Sequence, residues 1–112
     1  MELVQIKLLQ RDKVLELSFN NGEHFVLPCE YLRVFSPSAE VRGHGLIEPK
    51  LILDKSDVNI TGIDPVGQYA VKLVFDDGHQ SGIYSWETLY QLAKEYPANW
   101  KRYCERVAAQ QI

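Results

Sequence analysis

The stretch Gln68-Tyr-Ala-Val-Lys-Leu-Val-Phe-Asp-Asp-Gly-His-Gln-Ser-Gly-Ile-Tyr-Ser85 decides how the chain is read. Tyr69, Val71, Leu73 and Phe75 alternate with Gln68, Ala70, Lys72 and Val74. A period of two places each set on its own face of a strand. Asp77-Gly78 is a favoured two-residue hairpin loop, so residues 79–84 are expected to return as the partner strand. Ser85 then has the character of a helix N-cap. Trp86, Leu89, Tyr90 and Ala93 follow at the i, i+3, i+4, i+7 spacing of a helix with one apolar face. Pro97 is expected to end that helix. A second helix over 98–109 carries Trp100, Tyr103, Cys104 and Val107 on one stripe, opposite Lys101, Arg102, Glu105 and Arg106.

Working outward, the N-terminal third reads as a meander. Val4, Ile6 and Leu8 alternate with Gln5 and Lys7, and Leu15, Leu17 and Phe19 with Glu16 and Ser18. Asn20-Asn21-Gly22 marks a turn, because Asn and Gly tolerate positive φ. Phe25 and Leu27 then alternate with His24 and Val26, and Pro28 closes the strand. Cys29 to Val34 suits a helical turn. Ser36-Pro37 has the signature of a further short helix start. Leu51–Leu53 and Val58–Ile63 are short apolar runs, and Asp64-Pro65-Val66-Gly67 reads as a turn. Strands first and helices last predict an α+β domain: an antiparallel meander and hairpin with C-terminal helices packed on the sheet. The whole of 1–112 is expected to form this one domain.

Composition narrows the function classes. The chain has 112 residues, 46% hydrophobic and 24% charged, with net charge −3 and pI about 5.6. An acidic domain without a basic face is not expected to bind nucleic acid. Asp54, Asp57, Asp64, Asp76 and Asp77 face only Lys55 and Lys72 across residues 51–85, and a solvated surface is the expected reading. No apolar run approaches the ~18–20 residues of a membrane span. The N-terminus lacks a signal-peptide pattern, so a cytosolic location and no membrane partner are expected. Cys29 and Cys104 are far apart and form no CxxC, which suggests free thiols in a reducing compartment.

The chemistry-bearing residues concentrate in Tyr31-Leu-Arg-Val-Phe-Ser-Pro-Ser-Ala-Glu-Val-Arg-Gly-His-Gly45. Arg42-Gly43-His44-Gly45 offers a cation, an imidazole and open backbone amides. Arg33, Ser36 and Ser38 lie nearby, so the segment either holds an anion or only holds a turn. It matches neither the P-loop nor the dinucleotide fingerprint. His44 between two glycines reads equally as functional or structural. His24 reads as a partly exposed strand residue, and His79 as a turn residue bonded to a nearby Asp. No histidine or cysteine pair has local zinc spacing. Cys29 has no base beside it, no serine lies in a GxSxG elbow, and Glu40 alone decides nothing. No enzyme activity is expected.

Tyr31-Leu32-Arg33 with Ser36-Pro37-Ser38-Ala39-Glu40-Val41-Arg42-Gly43-His44-Gly45 resembles a family of small bacterial domains. So do Pro65-Val66-Gly67-Gln68-Tyr69-Ala70 and Phe75-Asp76-Asp77-Gly78-His79-Gln80-Ser81-Gly82-Ile83-Tyr84-Ser85-Trp86. The family is similar to the N-terminal domain of gamma-butyrobetaine hydroxylase, and the resemblance spans residues 5–95. It implies a domain that, in the hydroxylases, precedes an iron oxygenase domain and binds a structural zinc through three cysteines and a histidine. The cysteine positions fall here at Ser36, Ser38 and Val41, and the histidine at His79. Serine is a poor zinc ligand and valine none, so no cofactor is expected, although His79 and His44 leave zinc or iron open. The oxygenase domain and its HxD motif are missing, so hydroxylase activity does not carry over.

The resemblance therefore implies a stand-alone, non-catalytic binding or adaptor module whose partner is another protein. The expected surface joins Arg33, Ser36, Ser38, Glu40, Arg42, Gly43, His44 and Gly45 to His79. It places Ser36 and His79 close together. The other reading is a metal-linked accessory protein in iron or iron–sulfur protein maturation, with His79 and His44, and Cys29 beside them as a further candidate, binding metal transiently. The sequence leaves the oligomeric state open.

Overall fold

Alternating side chains become two antiparallel sheets in the computed structural model, which describes residues 1–38 and 50–110. The first sheet is β1 (Leu3–Leu9), β2 (Val14–Phe19) and β3 (His24–Pro28), in that order. Leu15 pairs with Leu8 on one side and Leu27 on the other, so one face of the meander is apolar across all its strands. Leu15, Leu17, Phe19 and Leu27 are buried on that face, while His24 and Val26 are exposed on the other. The β2–β3 turn uses Gly22 at φ 87, and the Asn21 side chain accepts the Glu23 amide at 3.0 Å. That Asx-type bond fixes the turn and hence the register.

Pro28 leads into α1 (Cys29–Val34), which buries Cys29, Tyr31, Leu32 and Val34. No helix begins at Ser36-Pro37: residues 36–38 are irregular, and Ser36 Oγ instead accepts the Ser38 amide at 3.2 Å. The second sheet is β4 (Ile60–Val66), β5 (Ala70–Phe75) and β6 (Ile83–Ser85), again in chain order. Asp64-Pro65-Val66 is strand rather than turn, and the chain reverses one step later with Gly67 at φ 61. Pro65 is tolerated because β4 is an edge strand, where a missing amide breaks no ladder bond on the open side. Val71, Leu73 and Phe75 are buried as their spacing predicts, whereas Tyr69 lies in the turn and is exposed.

The chain closes with one helix, α2 (Trp86–Gln110), rather than two. Ser85 caps it: its Oγ accepts the Thr88 amide at 3.0 Å. Pro97 deprives the preceding turn of an amide but does not end the helix. Packing holds that turn in place. Tyr31 from α1 donates to the Leu92 carbonyl at 2.7 Å and accepts Asn99 Nδ2 at 3.0 Å. Its ring lies against Tyr96 at 4.7 Å and Trp100 at 6.0 Å. Tyr103 is buried as the helical stripe predicts, but Cys104 is exposed. Among the described residues, both sheets and both helices supply one buried cluster, with Leu17, Leu32, Leu73, Tyr84 and Leu89 at its centre. This is the predicted α+β architecture, with the strands divided into two sheets.

Candidate functional site

The exit of α1 meets the tip of the β5–β6 hairpin, and the meeting point is polar. Tyr84 on β6 is fully buried and donates to the Leu32 carbonyl at 2.5 Å, which fixes α1 against the second sheet. The next residue, Arg33, then reaches the hairpin tip: its Nε donates to Asp77 Oδ2 at 2.8 Å. Lys55 Nζ lies 2.8 Å from the same oxygen. The other oxygen, Oδ1, accepts the His79 amide at 3.0 Å. Asp77 therefore ties the chain before residues 39–49 to the chain after them, through one carboxylate.

That carboxylate is not the solvated acid its turn position suggests, since its side chain is only 17% exposed. Burial alone would raise its pKa. The bonds from Lys55, the His79 amide and Arg33, with the charge of Arg33, outweigh burial and hold it well below the ordinary carboxylate range. Arg33 is covered as well, and its Nη1 is buried with no hydrogen-bond partner among the described residues. Asp76 beside it is also engaged, accepting the Asn59 amide at 3.1 Å.

His79 turns inward from this tip. Its Nε2 is 3.0 Å from Ser36 Oγ, so the two segments expected to meet do meet. Ser38 Oγ and Ser81 Oγ share a hydrogen bond of 2.7 Å beside them. Ser36, Ser38 and His79 are buried rather than displayed, so these polar atoms serve the interior. The same contacts explain why the hairpin departs from its expected register. The His79 carbonyl still accepts the Phe75 amide of β5 at 2.9 Å, but residues 80–82 leave the ladder as the chain is drawn toward Ser36 and Ser38, and strand pairing resumes at Ile83. Gly82 lets this happen. A Cβ there would lie 2.4 Å from Ser36 Oγ and 3.1 Å from the Tyr84 ring. Gly82→Ala is expected to push Ser36 off His79 and to cost about 1 to 3 kcal/mol in urea unfolding.

Glu40, Val41, Arg42, Gly43, His44 and Gly45 lie outside the described residues. His24 is a surface residue bonded to Ser18 Oγ at 3.0 Å, remote in role from the cluster. Cys29 is no part of it: the thiol is buried, contacts Asn59 Oδ1 at 3.7 Å, and is pushed to higher pKa chiefly by burial. Sequence reasoning missed Lys55, Asp77, Ser81 and Gly82. The usable signal was the run Asp77-Gly-His-Gln-Ser-Gly82, which is more polar than a returning strand requires.

A separate cleft of about 540 Å³ opens between the end of α2 and residues 53–56, lined in part by Glu30, Leu53, Trp100, Tyr103 and Cys104. Burial, and then the charge of Asp57, raises the pKa of Glu30 there. Among the described residues no helix is long and apolar enough to cross a membrane.

A sequence model of the gamma-butyrobetaine hydroxylase-like N-terminal domain matches residues 6–90. No curated protein matches the chain. Two structures determined by NMR in solution are similar throughout. One is 51% identical, covering 99% of this chain and 83% of the other, with a TM-score of 0.85. The second is 43% identical over 98% and 86%, with a TM-score of 0.84. A crystal structure from Acidithiobacillus ferrooxidans, of a protein of unknown function in the DUF971 family, is 34% identical over 82% and 92%, with a TM-score of 0.70. Arg33, Asp77, His79 and Gly82, which build the polar junction, all lie inside the matched span, and this chain belongs to the gamma-butyrobetaine hydroxylase-like N-terminal family.

Proposed function

We propose that this chain is a non-catalytic binding module that presents the segment between Ser38 and Lys50 to another protein. The observation that carries this reading is the Asp77 carboxylate, bonded to Arg33 before the segment and to Lys55 after it. A segment anchored at both flanks loses less entropy when it binds, which favours recognition over free movement. Glu40, Arg42 and His44 supply its charge and hydrogen-bonding groups, and Arg33 serves as an anchor. The cluster of Ser36, Ser38 and His79 fixes the chain where the segment begins.

Affinity capture with the Arg42→Ala, His44→Ala double variant beside the wild type tests the reading. One specific partner, held by the wild type and lost by a folded variant, is the expected result. An unchanged set of captured proteins would contradict it.

A further inference from the structure

The resemblance to the hydroxylase domain implies a zinc held by three cysteines and a histidine, at positions that here are Ser36, Ser38, Val41 and His79. We infer that a hydrogen-bonded Ser36–His79 pair replaces that metal as the link between the exit of α1 and the hairpin tip. The chain then folds without zinc, and cysteines at 36 and 38 would give His79 the thiolate partners a zinc ion needs.

Donor chemistry comes first. Zinc in a structural site takes thiolates and imidazoles, and a neutral serine hydroxyl supplies neither the charge nor the softness of a thiolate. Among the described residues, no group of three or more His, Cys, Asp or Glu is placed to hold a metal ion. Cys29 does not fill the gap, because its thiol is buried against Asn59.

Distance is the second argument. Zn–N of ~2.0–2.1 Å and Zn–S of ~2.3 Å at a tetrahedral angle hold the two donor atoms roughly 3.6 Å apart. His79 Nε2 and Ser36 Oγ are 3.0 Å apart, a hydrogen-bond separation shorter than the two ligands of one zinc would keep. Ser36 Oγ is further occupied by the Ser38 amide at 3.2 Å. Ser38 Oγ is turned to Ser81 Oγ at 2.7 Å, which gives it a partner that a ligand role would not require. The residues at these positions therefore do not fit zinc, yet they join the same two segments. Sulfur's longer bond to carbon and larger radius would move the donors apart in the direction a metal needs. Gly82 leaves the adjoining space without a side chain.

Two arms test the inference. Untagged wild type is melted with and without EDTA, and its metal content is measured. The expected result is an unchanged Tm and no stoichiometric metal. A Tm that falls with EDTA and returns with zinc would overturn the inference. In the second arm, Ser36→Cys, Ser38→Cys is expected to take up about one zinc per chain and to melt higher when loaded. Its cobalt form should show thiolate absorption, and adding His79→Ala should weaken binding by at least tenfold. A folded double variant that takes no metal, or one indifferent to His79→Ala, would equally overturn it. If the double variant does not fold, the wild-type arm decides the matter alone.

Discussion

Asp77→Asn is expected to destabilise the protein by roughly 2 to 4 kcal/mol at pH 7, a little under the ~3–5 kcal/mol for one partner of a fully buried ion pair, because both side chains keep some exposure. The asparagine keeps the shape but removes the charge that Arg33 and Lys55 face. Arg33 would then remain covered, with Nη1 already lacking a partner among the described residues. The effect is pH-dependent in a defined direction. The folded carboxyl titrates well below its unfolded value of about 3.9, so its stabilisation is complete above that value. It is lost as pH falls through the lower folded value. The stability difference between wild type and Asp77→Asn should therefore be constant near neutrality and shrink below about pH 4. Urea unfolding of both proteins at pH 7 and pH 3 measures this. An equal difference at the two pH values would show that the carboxylate charge is not what holds the junction.

Tyr84→Ala is expected to be as severe or worse, at about 3 to 5 kcal/mol, because it empties a fully buried aromatic position. A domain of this size has about 5–15 kcal/mol in total, so the variant would be close to unfolding. Tyr84→Phe separates the two roles of the side chain. It keeps the ring and removes the hydroxyl that bonds the Leu32 carbonyl, with an expected cost of about 1 to 2 kcal/mol. Because Leu32 precedes Arg33, the Phe variant should also loosen the Arg33–Asp77 contact. A Tyr84→Ala variant that loses less than about 1 kcal/mol in urea would contradict the packing described here.

The sequence was legible where one physical signal acted alone. Leu15, Leu17 and Phe19 alternate because one face of β2 meets the core, and the structure buries that set. Ser85 capped its helix as its position suggests. The failures lie where a distant contact overrode a local preference. Pro97 is a helix breaker by local chemistry, yet Tyr31, Tyr96 and Trp100 pack around its turn and the helix continues. Pro65 resembles a turn residue until β4 is known to be an edge. Asp77 looks solvated in a Gly-containing turn, and only the approach of α1 brings Arg33 to it. In the candidate site, the proximity of Ser36 and His79 was readable through the family resemblance. Their burial was not, because it depends on Tyr84 and Gly82 placing the hairpin tip against α1.

The inferred metal-free link joins the exit of α1 to the hairpin tip through hydrogen bonds and the Arg33–Asp77 ion pair. Amide hydrogen exchange at Ser38 and His79 tests it most directly, since these amides donate to Ser36 Oγ and Asp77 Oδ1. Both should be protected in untagged wild type and indifferent to EDTA. In Asp77→Asn the His79 amide should exchange faster while Leu73 in β5 stays protected. Exchange of both amides at unprotected rates in the wild type, or protection that vanishes with EDTA, would contradict the account.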